Sequence, residues 1–263
     1  MVRAVALNVA ANTNDPGVRG PVYPDGRFEY VPIPESEPTA TAVPTYADLD
    51  LDVDLPSDAR ERPVHLDPEF AEYPGCERYT YGDPFGVKAR PLLELSAGDY
   101  VFFYATLTAA DGPDRGAGID GVSADDSGGG ASTADARRDW IAPDWGAYLV
   151  GQFRLARDPL DDEAFEALPA DERAAFANNA HVKRETFDAA VLLLGDDDES
   201  ELYETAVPLS SRDRGVDANR VVTDLSSDSG KGPWWRRPMR FDERATAELL
   251  SIRDDGAFGS CFD

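Results

Sequence analysis

The residues best able to do chemistry in this chain stand out because they are scarce. Histidine occurs only at His65 and His181, and lysine only at Lys88, Lys183 and Lys231. Each lysine keeps arginine nearby: Lys88 with Arg90, Lys183 with Arg184, and Lys231 with Arg236, Arg237 and Arg240 around Trp234-Trp235. Local positive charge in a carboxylate-rich chain suits contact with phosphate or another anion. The plainer reading is pairing with the abundant carboxylates. His181, just before Lys183 and Arg184, could serve as an acid or base beside a phosphate. Amides recur at Asn8, Asn12, Asn14, Asn178 and Asn179; asparagine can read a base edge, and it also caps turns and helices. Read as a strand, Trp234-Trp235 would bury one ring as core and leave the other more exposed, where beside Arg it suits stacking on a base.

The familiar catalytic templates are absent from the sequence. There is no GxSxG, no P-loop, no GxGxxG set directly between a strand and a helix, and no HExxH. No catalytic residue is assigned on this basis. With two histidines, a His-rich metal site is excluded, and neither a metal nor a cofactor is expected. Asp196 to Glu199 could hold a cation or form a solvated turn. Cys76 and Cys261 read as reduced thiols, because a lone pair makes no disulfide framework.

The elements that must position these groups follow from patterning. Val2 to Val9 reads as a buried strand ending in small polar residues. In residues 19–35, Pro24-Asp25-Gly26 marks a turn between Val22-Tyr23 and the alternating run Phe28 to Val31. Residues 36–64 read as loop, with a short helix near Tyr46 to Leu49. Asp67-Pro68 has the form of an N-cap with Pro at the first helical position, which predicts a helix to about Tyr73. Asp83-Pro84 repeats it before a helix weakened at Pro91. YVFFYATL, residues 100–107, is the clearest strand, and GAYLVGQFRLA, residues 146–156, should pair with it. Between them, residues 109–139 are Gly-, Asp- and Ser-rich, with too few apolar side chains to offset ordering, and read as a mobile insertion. Short helices are expected over Asp161–Leu168 and Asp171–Asn178, a buried strand over Ala189–Leu194, and a helix capped by Asp242 running to about Arg253. The whole reads as one domain over 1–263, a mixed α+β fold with a mostly antiparallel sheet.

Composition sets the background. The 263 residues carry 51 Asp and Glu against 25 Lys and Arg, a formal net charge of −26. The carboxylates are spread along the chain rather than gathered in a tail. Such charge should oppose compaction unless salt screens it, and at 1 M salt the Debye length is about 3 Å. The composition therefore reads as halophilic, with a basic partner as the alternative. The N-terminus lacks a signal-peptide pattern, and no stretch approaches the ~20 apolar residues of a membrane span. A cytoplasmic location without membrane association is expected; oligomeric state is not legible.

Several blocks together carry a resemblance. LNVAANTN, RGPVYPDGRFEYVPIPE, TYGDPFGVKARPLLELSAGDYVFFYATL, AYLVGQFRLA, NNAHVKR and VLLLGDDDESELYETAVPLS resemble the nucleotide-modification-associated domain family, type 3. The blocks run from residue 7 to residue 210, with NAHVKR and GDYVFFYA the most specific. The GDYVFFYATL and AYLVGQF pair is also loosely similar to PUA-like and EVE-like domains. That likeness implies a small barrel with peripheral helices and a base-binding pocket. Together these resemblances imply recognition of a nucleotide or modified base, with nucleic acid or nucleotide as partner. Asn12, Asn14 and Arg19 would meet the ligand, Tyr23 and Tyr30 would stack on it, and His181, Lys183 and Arg184 would contact phosphate or base. A nucleotide-processing enzyme using His181, and an assembly protein, are the alternatives.

Overall fold

The computed structural model describes residues 2–111 and 138–263. Most of the Gly-rich insertion expected over 109–139 lies outside them. Strand β1 (Ala4–Asn8) is followed by two-residue strands β2 (Pro21–Val22), β3 (Ile33–Pro34) and β4 (Val64–His65). Then come β5 (Thr80–Asp83), helix α1 (Gly86–Leu93), and the long strands β6 (Tyr100–Ala109) and β7 (Trp145–Arg154). Short helices α2 (Asp162–Glu166), α3 (Ala170–Arg173) and α4 (Ala180–Lys183) precede β8 (Val191–Leu194) and β9 (Glu201–Pro208). Strand β10 (Met239–Phe241) leads into α5 (Glu243–Asp254).

The main sheet runs β10-β1-β6-β7-β9, with β2 extending along β6 beyond the end of β1. Strands β1 and β2 lie parallel to β6, and the other pairings in this sheet are antiparallel. Among the described residues the sheet is an open path and does not close into a barrel. Residues 100–107 and 146–156 pair as their sequences require, with a register shift between Phe103 and Tyr104.

Both faces of the sheet are covered, so its central strands are apolar on both sides. Val5, Leu7, Val101, Phe103 and Val150 pack on one face with Phe70, Tyr81, Leu92 and Phe153. Ala4, Ala6, Phe102, Tyr104 and Leu149 pack on the other with Trp234 and with Leu249 and Ile252 of α5. Asp242 caps α5 as expected, accepting from the Ala245 amide at 2.9 Å. The Trp234-Trp235 segment is a 3-10 turn rather than a strand, with Trp234 fully buried and Trp235 partly so.

The candidate site is built above the first face. There β5 pairs with β8, β3 pairs with β4, and α4 closes against β5. One expectation fails here: no helix follows Asp67-Pro68. The Asp67 carboxylate turns away from its own chain and accepts from Gly82 and Asn179, while Glu69 bridges to Thr80 of β5. A side chain engaged across the fold cannot cap the next turn of its own chain.

Candidate functional site

The cavity between these elements has a volume of about 440 Å³. Its floor is a cluster of buried polar groups. His65 ends β4 opposite Ile33, and Asp67 stands two residues further on. Both Asp67 oxygens lie 3.0 Å from the Gly82 amide, and Oδ1 also accepts from Asn179 Nδ2 at 3.1 Å. Asn179 in turn caps the single-turn helix α4, its Oδ1 accepting from the His181 amide at 3.0 Å. One amide side chain therefore fixes His181 relative to Asp67.

Gly82 lets the His181 ring approach this closely: a Cβ at that position would lie 2.6 Å from His181 Cδ2. The His65 and His181 rings meet edge to face, with centroids 4.9 Å apart. Asp67 Oδ2 lies 3.4 Å from His181 Nε2 and 3.9 Å from His65 Nε2. The opposite edge of each ring has its own carboxylate. His65 Nδ1 is 2.6 Å from Glu35 Oε2, and His181 Nδ1 is 2.7 Å from Asp188 Oδ1. A carboxylate at that distance only accepts, so Nδ1 carries the proton in both rings.

Arg184 joins the two outer carboxylates. Its Nη2 donates to Glu35 Oε1 at 2.8 Å, and its Nη1 donates to Asp188. Burial opposes charge on Glu35, but hydrogen bonds from His65 and Arg184 outweigh it and hold its carboxyl down at about 2. Burial likewise opposes charge on His181, yet Asp67 and Asp188 raise its pKa. For Arg184 too, burial is outweighed by Glu35 and Asp188, and the guanidinium is held charged.

A second polar group flanks the floor. Tyr81 Oη donates to Asp83 Oδ2 at 2.8 Å, and Lys88 Nζ lies 3.2 Å from the same oxygen. Lys88 also reaches the Asn8 carbonyl at 3.4 Å. At the rim, Phe85 is 68 % exposed, which is unusual for a phenyl ring beside a polar cavity.

The structure divides the residues singled out from sequence. Asn12, His181 and Arg184 line this cavity. Asn14 stands in the adjoining turn, its amide donating to Asn12 Oδ1 at 2.8 Å. Lys183 lies outside the cavity lining: its side chain meets the Asn178 amide, and its carbonyl accepts from Ala40. Arg19 and Tyr23 line a separate cavity of about 480 Å³, where Arg19 lies over the Trp145 ring at 4.6 Å. Tyr30 is buried edge-on against Phe70 and Tyr73. Residues 12–30 and 178–184 thus converge only through Asn12, His181 and Arg184.

Glu35 and Asp188 carry no signal in the sequence, and Asp67 and Asp83 read there as helix caps rather than as members of a site. The spacing of His65 and Asp67, two apart on extended chain and therefore on one side, was the available signal.

Among the described residues no helix is long and apolar enough to cross a membrane. No curated protein and no solved structure matches the chain. The model of one family, nucleotide modification associated domain 3, matches residues 3–251, which include every residue of the cavity. The chain belongs to the nucleotide modification associated domain 3 family.

Proposed function

We propose that this cavity binds a nucleotide, free or within a nucleic acid, and acts on it at the His65–Asp67–His181 cluster. One observation carries the reading: two buried imidazoles, each fixed by its own carboxylate, turn their Nε2 atoms toward a third carboxylate at the floor of an accessible cavity. A site that only recognised a base would have little need of paired, individually oriented histidines. Buried titratable groups gathered in a cleft mark chemistry more often than packing.

The walls suit a nucleotide. Phe85 offers a face for stacking a base, Asn12 offers an amide to its edge, and Lys88 supplies positive charge. In molar salt the counterion-release contribution to binding is small, so affinity must rest on stacking and directed hydrogen bonds. The pattern likeness of the β6–β7 ribbon to PUA-like domains favours a base as the recognised group, although the strands here form an open path.

Recognition of a modified base without turnover is the second reading, favoured by the exposed Phe85 ring. Both are tested by titrating nucleotides and short oligonucleotides, modified and unmodified, in molar KCl, then weighing the recovered nucleotide by mass spectrometry. Binding that weakens about tenfold in Phe85→Ala, with a mass change that requires the histidines, supports action on the nucleotide. Binding without a mass change leaves recognition alone. Absence of both defeats the assignment of the cavity.

A further inference from the structure

We propose that His65, Asp67 and His181 bind one divalent first-row transition ion, through Nε2 of each ring and a carboxylate oxygen of Asp67. The inference deepens the assignment of this cavity as the reactive centre and can fail independently of it. The three side chains are buried, and their candidate ligand atoms lie within 4.8 Å of one another.

Distance is the first argument. N–H···O hydrogen bonds cluster at about 2.7–3.2 Å. The contacts from Asp67 Oδ2 to the two Nε2 atoms, 3.4 and 3.9 Å, are longer than that. They are close to the spacing of two ligands on one ion. With metal–ligand bonds of about 2.1 Å, neighbouring ligand atoms stand about 3.0 Å apart at a right angle and about 3.4 Å at the tetrahedral angle. Small side-chain rotations would close the three groups on the ion.

Orientation is the second. Glu35 and Asp188 hold Nδ1–H of the two rings, which turns both Nε2 atoms toward Asp67. Left unprotonated, two Nε2 atoms aimed at a carboxylate repel it unless a metal ion lies between them. A carboxylate on the far nitrogen of each ring is the usual support of metal-binding histidine, fixing its tautomer and raising its basicity. Arg184 ties the two supporting carboxylates together, so the rings are oriented as a pair.

Charge is the third. Around the buried cluster, Glu35, Asp67, Asp83 and Asp188 stand with Arg184 and Lys88, four carboxylates against two cations, while Glu37 in the cavity wall is exposed to solvent. With both rings neutral, one divalent ion offsets the remainder. Two imidazolium protons would offset it too, and this is the competing arrangement that an experiment must separate. Two nitrogens and one oxygen select Zn(II), Fe(II), Co(II) or Mn(II) over Mg(II) or Ca(II). The cavity side leaves further coordination positions for water or a nucleotide group.

The test is titration of chelator-treated full-length protein with Zn(II) and Co(II), the latter also by visible absorption, in molar KCl with excess Mg(II). The Mg(II) occupies the many surface carboxylates. One ion per chain is expected, with Co(II) bands of a nitrogen-containing site. The His65→Ala/His181→Ala variant should lose at least a hundredfold in affinity, and Glu35→Gln, which leaves all three ligands, about ten- to a hundredfold. Failure to bind either ion above the Mg(II) background overturns the proposal. So does binding that is unchanged in both variants. If the double variant fails to fold, Glu35→Gln alone decides. Nucleotide binding by the metal-free protein, measured through Phe85→Ala, reports separately on the cavity.

Discussion

Gly82 lets the His181 ring pack directly against strand β5. A methyl group there would overlap the ring at 2.6 Å, and the ring is held by Asn179, Asp188 and Asp67. Gly82→Ala should therefore cost about 1–3 kcal/mol of stability by overpacking. Because the displaced ring belongs to the cluster, it should also abolish tight binding of Zn(II). Chemical denaturation and metal titration of the same sample check both; unchanged metal affinity would mean that the ring need not sit where it does. The cysteines give a prediction of opposite kind. Burial pushes the Cys76 and Cys261 thiols up to about 12. An ordinary thiol titrates near 8.5, so at pH 8 the folded chain should react with a thiol reagent about a thousandfold more slowly than the unfolded chain. The folded pKa is the higher one. The contribution to stability is then complete below about pH 8.5 and is lost as pH rises toward 12. Melting temperature should fall over that alkaline range. At this scale the sequence was partly legible. Scarcity drew the eye to His181 and Arg184, but Glu35, Asp67 and Asp188 are three carboxylates among 51 acidic residues, distinguished only by partners that folding brings to them.

Strands β6 and β7 are the elements on which the site rests. Phe103 of β6 is fully buried among Phe70, Phe153 and Tyr81, and Tyr81 bonds Asp83 at the cavity. Phe103→Ala removes the ring on which the β5 layer lies and should cost about 3–5 kcal/mol, read as a lower denaturation midpoint. A cost below 1 kcal/mol would show that the aromatic cluster repacks freely. Strand β6 was legible because aromatic and β-branched residues dominate it, and β7 because its residues alternate. The elements that hold the reactive groups were not. Strands β3 and β4 are two residues each, joined across a 29-residue connection, and a pairing that short leaves no periodicity to read. The same limit explains Asp67-Pro68. The dipeptide has the form of a helix start, and only the distant amides of Gly82 and Asn179 decide that its carboxylate serves the site instead. The Trp234-Trp235 segment illustrates a milder version: one buried ring and one partly exposed ring were expected from a strand, and a 3-10 turn achieves that separation.

Taken whole, the molecule sets a parallel β1–β6 pairing, between residues about a hundred positions apart, inside a sheet whose remaining pairings, apart from the short β2–β6 contact, are antiparallel. Nothing local in the sequence encodes that order, whereas the net charge of −26 is visible at once. The charge also bears on how the fold must be handled. Carboxylates outnumber the available Lys and Arg about two to one, so ion pairing cannot neutralise the surface. At about 0.1 M salt the Debye length is roughly 10 Å, long enough for many surface carboxylates to repel one another; at 1 M it is about 3 Å, and most of that repulsion is screened. The native state concentrates the charge more than the unfolded chain does, so screening should favour folding. Melting temperature should rise steeply between 0.1 and 2 M KCl, by about 10 °C if screening returns a few kcal/mol to a chain of this size. The site makes a different demand. The Glu35–Arg184 pair is shielded from solvent, so its geometry should be less sensitive to salt than the surface. Thermal melts and Zn(II) titrations over the same salt series separate the two. A melting temperature that stayed flat or fell with KCl would show that the carboxylates serve a basic partner rather than the solvent. If folding strengthened with salt while the metal affinity of the folded chain held nearly constant, the charged exterior and the buried cluster would be acting independently.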